Sequence, residues 1–234
     1  MPTIPQEQWK ADLVSELDEV RKRLTNAARG DDAAARDDAA WRLNPASNFA
    51  QREYLVDHLR VHAPPGAEIS ILDVGAGAMT FLPKAWVTRT VRITAIDPLA
   101  DEYAALLRQG SVTPPVPTTQ GRAETLRDTF AENQFDCVFT RNAFEQFADP
   151  LLGLRQMLAI VKPGRWVLVL QEGERGAAQQ RRGPWVLREE DDELLMSAGD
   201  GKSIDLRDEL GDAADVRVTR SWHWPWFLAA FRKN

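Results

Sequence analysis

The run Ile71-Leu72-Asp73-Val74-Gly75-Ala76-Gly77-Ala78-Met79-Thr80 decides how this chain is interpreted. Its branched apolar residues predict a buried strand that ends in a glycine-rich turn. Because glycine has no β-carbon, the backbone of such a turn can approach a ligand closely. Asp97 lies twenty residues beyond Gly77, at the end of the next predicted strand, where a carboxylate can accept both hydroxyls of a ribose. The turn and the acid therefore indicate an adenosine-binding site.

Four short apolar runs alternate with segments of helical spacing, which predicts an α/β fold with a mostly parallel sheet and helices on both faces. The four runs are residues 69–74, 91–96, 135–140 and 166–170. We expect an N-terminal helical cap at residues 1–66 and one compact domain at 67–234. Within that domain we predict a β-hairpin insertion at 183–201 and an antiparallel final strand.

Composition narrows the function classes. The chain has 234 residues, with 29 Lys and Arg against 35 Asp and Glu, so its net charge is −6. This balance disfavours nucleic acid as the main partner. No apolar run approaches the roughly 20 residues that cross a bilayer, so we expect no membrane association and a cytoplasmic protein. The single cysteine, Cys137, excludes an internal disulfide and a multi-thiolate zinc site, and we expect no metal.

Two residues at the turn favour a particular adenosine cofactor. A nicotinamide-binding turn has a third glycine where this chain has Thr80, and it holds a diphosphate. Asp73 stands just before the turn, and its carboxylate suits a cation better, such as the amino group of S-adenosylmethionine. The absence of a Tyr-x-x-x-Lys pair also disfavours a nicotinamide-dependent oxidoreductase.

From Ile69 to Leu170 the order of motifs resembles that of the class I S-adenosylmethionine-dependent methyltransferases, of the methyltransferase-11 type, which have a Rossmann-like seven-stranded sheet. The resemblance makes residues 73–77 the motif that cradles the methionine part of the cofactor, and Asp97 the acid that binds its ribose. Residues 121–124 match the segment along the adenine, and residues 141–144 match the loop that closes on the cofactor. A finer resemblance is to a bacterial subgroup with an N-terminal helical cap and a late hairpin.

The resemblance implies S-adenosyl-L-methionine as cofactor and S-adenosyl-L-homocysteine as product. The cofactor-binding residues that it implies are Asp73, Gly75, Ala76, Gly77, Asp97, Pro98, Leu99, Ala123, Glu124, Arg141, Asn142 and Ala143. Arg42, in the cap, either reaches the carboxylate of the cofactor or is an ordinary solvated arginine.

The loop after the fourth strand departs from the family pattern. Many relatives have Asn-x-x-(Glu/Asp)-His there, whereas this chain has Asn142-Ala143-Phe144-Glu145-Gln146. An amide cannot act as a general base. Three alternatives remain. The acceptor needs no deprotonation, or another residue is the general base, with Glu145, Glu172 and His223 as candidates, or the activity is lost.

The function that we expect is methyl transfer (EC 2.1.1.-) to an oxygen, less readily a nitrogen, of a small molecule or saccharide. The alternative is a catalytically silent protein that binds the cofactor and regulates or scaffolds a partner. A nucleic-acid methyltransferase is disfavoured by the charge and by the lack of an Asn/Asp-Pro-Pro-aromatic loop. The first predicted helix carries an apolar stripe, which we interpret as a lid or a homodimer contact and which consists of Trp9, Leu13, Leu17, Val20 and Leu24.

Overall fold

The computed structural model describes residues 6–29, 32–60, 63–172, 185–190, 193–198, 203–220 and 226–234. The helices are α1 (Gln6–Arg29), α2 (Ala33–Leu43), α3 (Glu53–Arg60), α4 (Ala100–Gln109), α5 (Pro150–Ile160) and α6 (Leu206–Leu210). The strands are β1 (Glu68–Val74), β2 (Thr90–Asp97), β3 (Thr118–Gln120), β4 (Phe135–Arg141), β5 (Val161–Glu172), β6 (Trp185–Glu190), β7 (Glu193–Ala198), β8 (Ser203–Asp205), β9 (Ala214–Arg220) and β10 (Trp226–Lys233). Among these described residues, no helix is long and apolar enough to cross a membrane.

The main sheet has seven strands in the order β3-β2-β1-β4-β5-β10-β9. The pairs β1–β2, β2–β3 and β4–β5 are parallel, and β10 runs antiparallel to both β5 and β9. A separate antiparallel sheet has the order β6-β7-β8. The predicted Rossmann-like class I fold, with its antiparallel final strand and late hairpin, is confirmed. The sequence did not predict β8, because three residues are too few to show an alternating pattern.

The described chain divides into two compact units, which we call the N-terminal unit (residues 10–122) and the C-terminal unit (residues 1–9 and 123–234). Their boundary does not coincide with residue 66, and the division into a cap and a domain stays a prediction. In the N-terminal unit, β1 buries nearly every side chain, as expected of a parallel strand covered on both faces. In the C-terminal unit, α5 packs against residues 123–128 and β5.

The connection between β1 and β2 contains no helix, and the structure describes all of its residues, 75–89. Part of the space beside it is taken by α1, whose Leu13, Leu17 and Val20 pack against a buried cluster. The members of this cluster are Ala78, Met79, Leu99, Tyr103 and Leu107. The first helix of the chain therefore covers residues that flank the glycine-rich turn.

Candidate functional site

The glycine-rich turn in the N-terminal unit has the backbone that only glycine adopts readily. Gly75 has φ of 70° and Gly77 has φ of 66°. The amides of Gly75 and Ala76 donate to the carbonyl of Ile96 at 2.9 and 3.0 Å, which ties the turn to the end of β2. A Cβ built on Gly77 would meet no atom within 4 Å, so the space beside this residue is open. A side chain at position 77 would thus be strained by the backbone conformation and not by a clash.

Asp97 ends β2 beside this turn, and only 7% of it is exposed. Its Oδ2 accepts a hydrogen bond from the amide of Gly77 at 2.9 Å, and its Oδ1 accepts one from the amide of Leu99 at 2.9 Å. Burial raises the pKa of Asp97 to about 6, although these two amides favour the charged form and act in the opposite direction. The carboxylate is therefore fixed in place, with one protein donor on each oxygen.

Asp73 organises the connection that follows the turn. It is 2% exposed, and its Oδ2 accepts a hydrogen bond from the hydroxyl of Thr80 at 2.5 Å. The same hydroxyl oxygen accepts from the amide of Leu82 at 3.1 Å. Thr80, which stands where a nicotinamide-binding turn has its third glycine, thus gives this connection its shape.

Arg42 on α2 lies against the same connection, and its contact with the carboxylate of the cofactor stays a prediction. Its Nη1 donates to the carbonyl of Met79, and its Nε donates to Asp38 at 2.6 Å. The guanidinium carbon also lies 5.5 Å from the ring centroid of Phe81, within cation–π range.

Sequence reasoning missed Lys84. Its Nζ donates to the carbonyl of Thr80 at 3.2 Å. Burial lowers the pKa of Lys84 to about 8, with a further lowering from the nearby charge of Arg42, while Asp73 and Asp38 raise it. No motif marks this lysine, because its position depends on the helix-free path between β1 and β2.

The segments after β2 and β3 are also joined in the N-terminal unit. The side chain of Gln120 donates to the carbonyl of Pro98 at 2.8 Å, and the amide of Gly121 donates to the carbonyl of Asp97 at 3.2 Å. A Cβ on Gly121 would lie 3.0 Å from the Cβ of Ile96, so the close approach of these segments needs a glycine. The structure therefore brings together the turn, Asp97, Pro98 and Leu99, and their role in cofactor binding stays a prediction.

In the C-terminal unit, Glu124 joins a 3₁₀ segment to the start of α5. Its Oε1 accepts hydrogen bonds from the amides of Ala148 and Asp149 at 2.7 and 3.2 Å. Ala123, the residue before it, is buried. The predicted contact of Glu124 with adenine stays a prediction, and the structure adds a structural role for this carboxylate.

The loop after β4 is held to the end of β5. Asn142 has a positive φ of 53°, and its Oδ1 accepts from the amide of Glu172 at 2.9 Å. The guanidinium carbon of Arg141 lies 4.8 Å from the ring centroid of Trp226. Ala143 is buried. These contacts fix the loop that the resemblance places on the cofactor.

The residues considered for a catalytic role are Glu145, Gln146, Glu172 and His223, and their surroundings differ. Glu145 accepts hydrogen bonds on both oxygens, from the amide of Leu187 at 2.9 Å and from the side chain of Gln171 at 3.1 Å. The backbone carbonyl of Gln146 accepts from the indole of Trp9 at 3.1 Å. His223 lies outside the described residues. Among those residues, no group of three His, Cys, Asp or Glu side chains is arranged to hold a metal.

Comparisons with known proteins found similar solved structures. The chain resembles a solved methyltransferase from Aquifex aeolicus that depends on S-adenosylmethionine, with 13% identity, coverage of 88% of this chain and 96% of that chain, and a TM-score of 0.48. It also resembles YcgJ from Bacillus subtilis, with 23% identity, coverage of 52% of each chain and a TM-score of 0.37, so the chain spans about half the length of YcgJ. No curated protein sequence matches this chain.

A family model described as a methyltransferase domain matches residues 47–203. The matched region includes the glycine-rich turn, Asp97, Glu124 and the loop after β4. Because this model covers more than half of the chain, the chain belongs to the methyltransferase-domain family, as a class I member whose cofactor is S-adenosylmethionine.

Proposed function

We propose that this protein transfers a methyl group from S-adenosylmethionine to an oxygen, less readily a nitrogen, of a small molecule or saccharide. The observation that carries the cofactor part is the buried carboxylate of Asp97, which Gly77 and Leu99 hold at 2.9 Å each. Each carboxylate oxygen has a second lone pair. Asp97 therefore offers two aligned acceptors, which suits the two adjacent hydroxyls of a ribose.

The charged groups around the connection between β1 and β2 suit the amino-acid end of the same cofactor. We assign the carboxylate of its methionine part to Arg42 and Lys84, whose cationic groups contact neighbouring carbonyls of Met79 and Thr80. Asp73, just before the turn, supplies the negative charge that a protonated amino group needs nearby. Because Gly75 and Gly77 have no side chains, the backbone of residues 75–77 lets the cofactor approach closely.

Bound in this way, the cofactor supplies a methyl group that is already electrophilic because it is attached to a sulfonium. The remaining task of the chain is to orient the acceptor and to exclude water. Orientation contributes about 7–11 kcal/mol to such reactions, whereas a positioned base contributes roughly 10²–10⁴-fold in rate. We propose that orientation carries most of the rate here, since Gln146 is no base and Glu145 already accepts two hydrogen bonds.

The acceptor class follows from charge and is tested by turnover. A net charge of −6 disfavours a polyanionic acceptor, and a small molecule or saccharide is the acceptor class that we propose. The test incubates the full chain with S-adenosylmethionine and a panel of phenols, amines and sugars, and measures S-adenosylhomocysteine by mass spectrometry. We expect product with at least one oxygen acceptor and none with Asp97→Ala. Cofactor binding without product from any acceptor would contradict the proposal and favour the silent regulatory protein.

A further inference from the structure

Two polar side chains in the C-terminal unit each bury one oxygen atom that lacks a hydrogen-bond partner in the described part of the chain. Thr140 and Gln171 are 0% and 2% exposed. Neither Thr140 Oγ1 nor Gln171 Oε1 has a hydrogen-bond partner among the residues that the structure describes. A buried polar atom without a partner has lost its hydrogen bonds to water and gained none in return, so such atoms in a core call for an explanation.

The two side chains lie on the same face of the sheet, near the carboxyl ends of neighbouring strands. Thr140 on β4 is the register partner of Val169 on β5, and Gln171 follows Val169 by two residues. Because side chains alternate between the faces of a strand, Val169 and Gln171 share a face, and the parallel register places Thr140 on it too. Phe227 of β10 is the register partner of Gln171, and it is buried, as is Val169. Both neighbours of Gln171 are therefore apolar.

The amide of Gln171 has a defined orientation. Its Nε2 donates to Glu145 Oε2 at 3.1 Å, and Glu145 Oε1 accepts from the backbone amide of Leu187 on β6 at 2.9 Å. An ionised carboxylate only accepts hydrogen bonds, so the amide nitrogen must face Glu145. The carbonyl oxygen is therefore left as a hydrogen-bond acceptor without a partner among the described residues, on the face of the sheet that also carries Thr140.

We propose that Gln171 Oε1, with the hydroxyl of Thr140, forms a subsite that binds a hydroxyl or N–H group of the methyl acceptor. The inference rests on the proposed function and deepens it, because it names the chemical feature by which an acceptor is recognised. The subsite aligns a donor group and takes no proton, since an amide oxygen is not a base near neutral pH. Glu145 is then a positioning residue, which holds the amide of Gln171 in the orientation that leaves Oε1 facing the donor.

The test compares fragments that differ only in a donor group. Binding of phenol and anisole, and of aniline and N,N-dimethylaniline, to the full chain is measured by ligand-observed NMR, with and without saturating S-adenosylhomocysteine. We expect the wild-type chain to bind the donor member of each pair about fivefold more tightly. Gln171→Leu should abolish this preference and Thr140→Val should reduce it, whereas Gln109→Leu, a substitution at an exposed glutamine on α4, should keep it.

Separate outcomes address the two proposals. Failure of S-adenosylhomocysteine to bind would contradict the proposed function. The preference for donor fragments could still be measured, because it is also determined in the absence of S-adenosylhomocysteine. Equal binding of donor and methylated fragments by the wild-type chain, or an unchanged preference in both Gln171→Leu and Thr140→Val, would overturn the subsite and assign both polar atoms to a buried water. Circular dichroism will report whether Gln171→Leu folds. If it does not, Thr140→Val remains informative, because it only replaces a hydroxyl by a methyl group of similar size.

Discussion

At the residue scale, Asp97 is an acid that the fold holds away from water and still keeps hydrogen-bonded. Asp97 is only 7% exposed, and this burial raises its pKa. The amides of Gly77 and Leu99 hold its two oxygens in place. The position of Asp97 could be predicted from sequence, because the strand, the turn and the acid follow one another at a fixed spacing. Lys84 could not, because long-range contacts such as that of its amide with the carbonyl of Ser47 shape its segment.

Replacing Asp97 by alanine should weaken the binding of S-adenosylmethionine by about 100-fold or more. The reason is that two hydroxyls would lose a charged acceptor in a buried site. Isothermal titration measures the effect, with Asp101→Ala, an exposed acid on α4 in the same unit, as the matched control. Equal affinities of Asp97→Ala and the wild-type chain would remove Asp97 from the site.

The pKa of Asp97 predicts how cofactor binding depends on pH. The carboxylate must be ionised to accept hydrogen bonds from two hydroxyls, and its pKa in the protein without cofactor is about 6. Affinity should thus fall by about tenfold per pH unit below 6 as Asp97 becomes protonated. The loss of charge on Lys84, whose pKa is about 8, acts separately and above pH 7. Titrations between pH 5 and 8 test this, and Asp97→Asn should bind weakly at every pH. A flat wild-type profile would contradict the assignment.

At the scale of elements, α1 packs beside the connection between β1 and β2, which contains no helix of its own. The sequence predicted the apolar stripe of α1 correctly, since its period is local, and interpreted it as a lid or a dimer contact. The structure places Leu13, Leu17 and Val20 of this stripe against Met79 and Leu99 within the same unit. Which face a stripe covers depends on tertiary contacts, and periodicity does not contain that information.

Leu17→Ala should lower the free energy of unfolding by about 1–2 kcal/mol and weaken cofactor binding. Leu17 is half-buried against the cluster that includes Met79 and Leu99, so truncation removes part of a leucine's burial. Val14→Ala on the same helix, at a side chain that is 61% exposed, is the control and should change stability by less than about 0.5 kcal/mol. Urea denaturation measures both, and equal effects would show that α1 does not pack as described.

Glu145→Ala should destabilise the attachment of β6 to the loop after β4. The substitution leaves the amide of Leu187 and the side chain of Gln171 without their acceptor, at a cost of about 2–4 kcal/mol in total. Glu132→Ala breaks only the exposed pair with Arg127 and should cost less than about 1 kcal/mol. Equal losses of stability in urea for the two variants would mean that Glu145 does not hold the hairpin.

At the scale of the whole molecule, the arrangement of the strands follows from sequence while much of the site does not. Buried parallel strands and a glycine-rich turn leave local patterns, which predicted a mostly parallel sheet, and the resemblance to the class I methyltransferases implied its seven strands. The division into two compact units depends on long-range contacts, which no local pattern records. The roles of Gln171 and Glu145 likewise depend on the register of β4 with β5 and on the position of β6.

The most direct test of the central claim is isothermal titration of the full chain with S-adenosylmethionine, S-adenosylhomocysteine and NADH at pH 7.5. We expect micromolar binding of the two sulfur compounds, with one site per chain, and no binding of NADH. Absence of binding by both sulfur compounds would contradict the account, because the glycine-rich turn and Asp97 would then serve the fold alone.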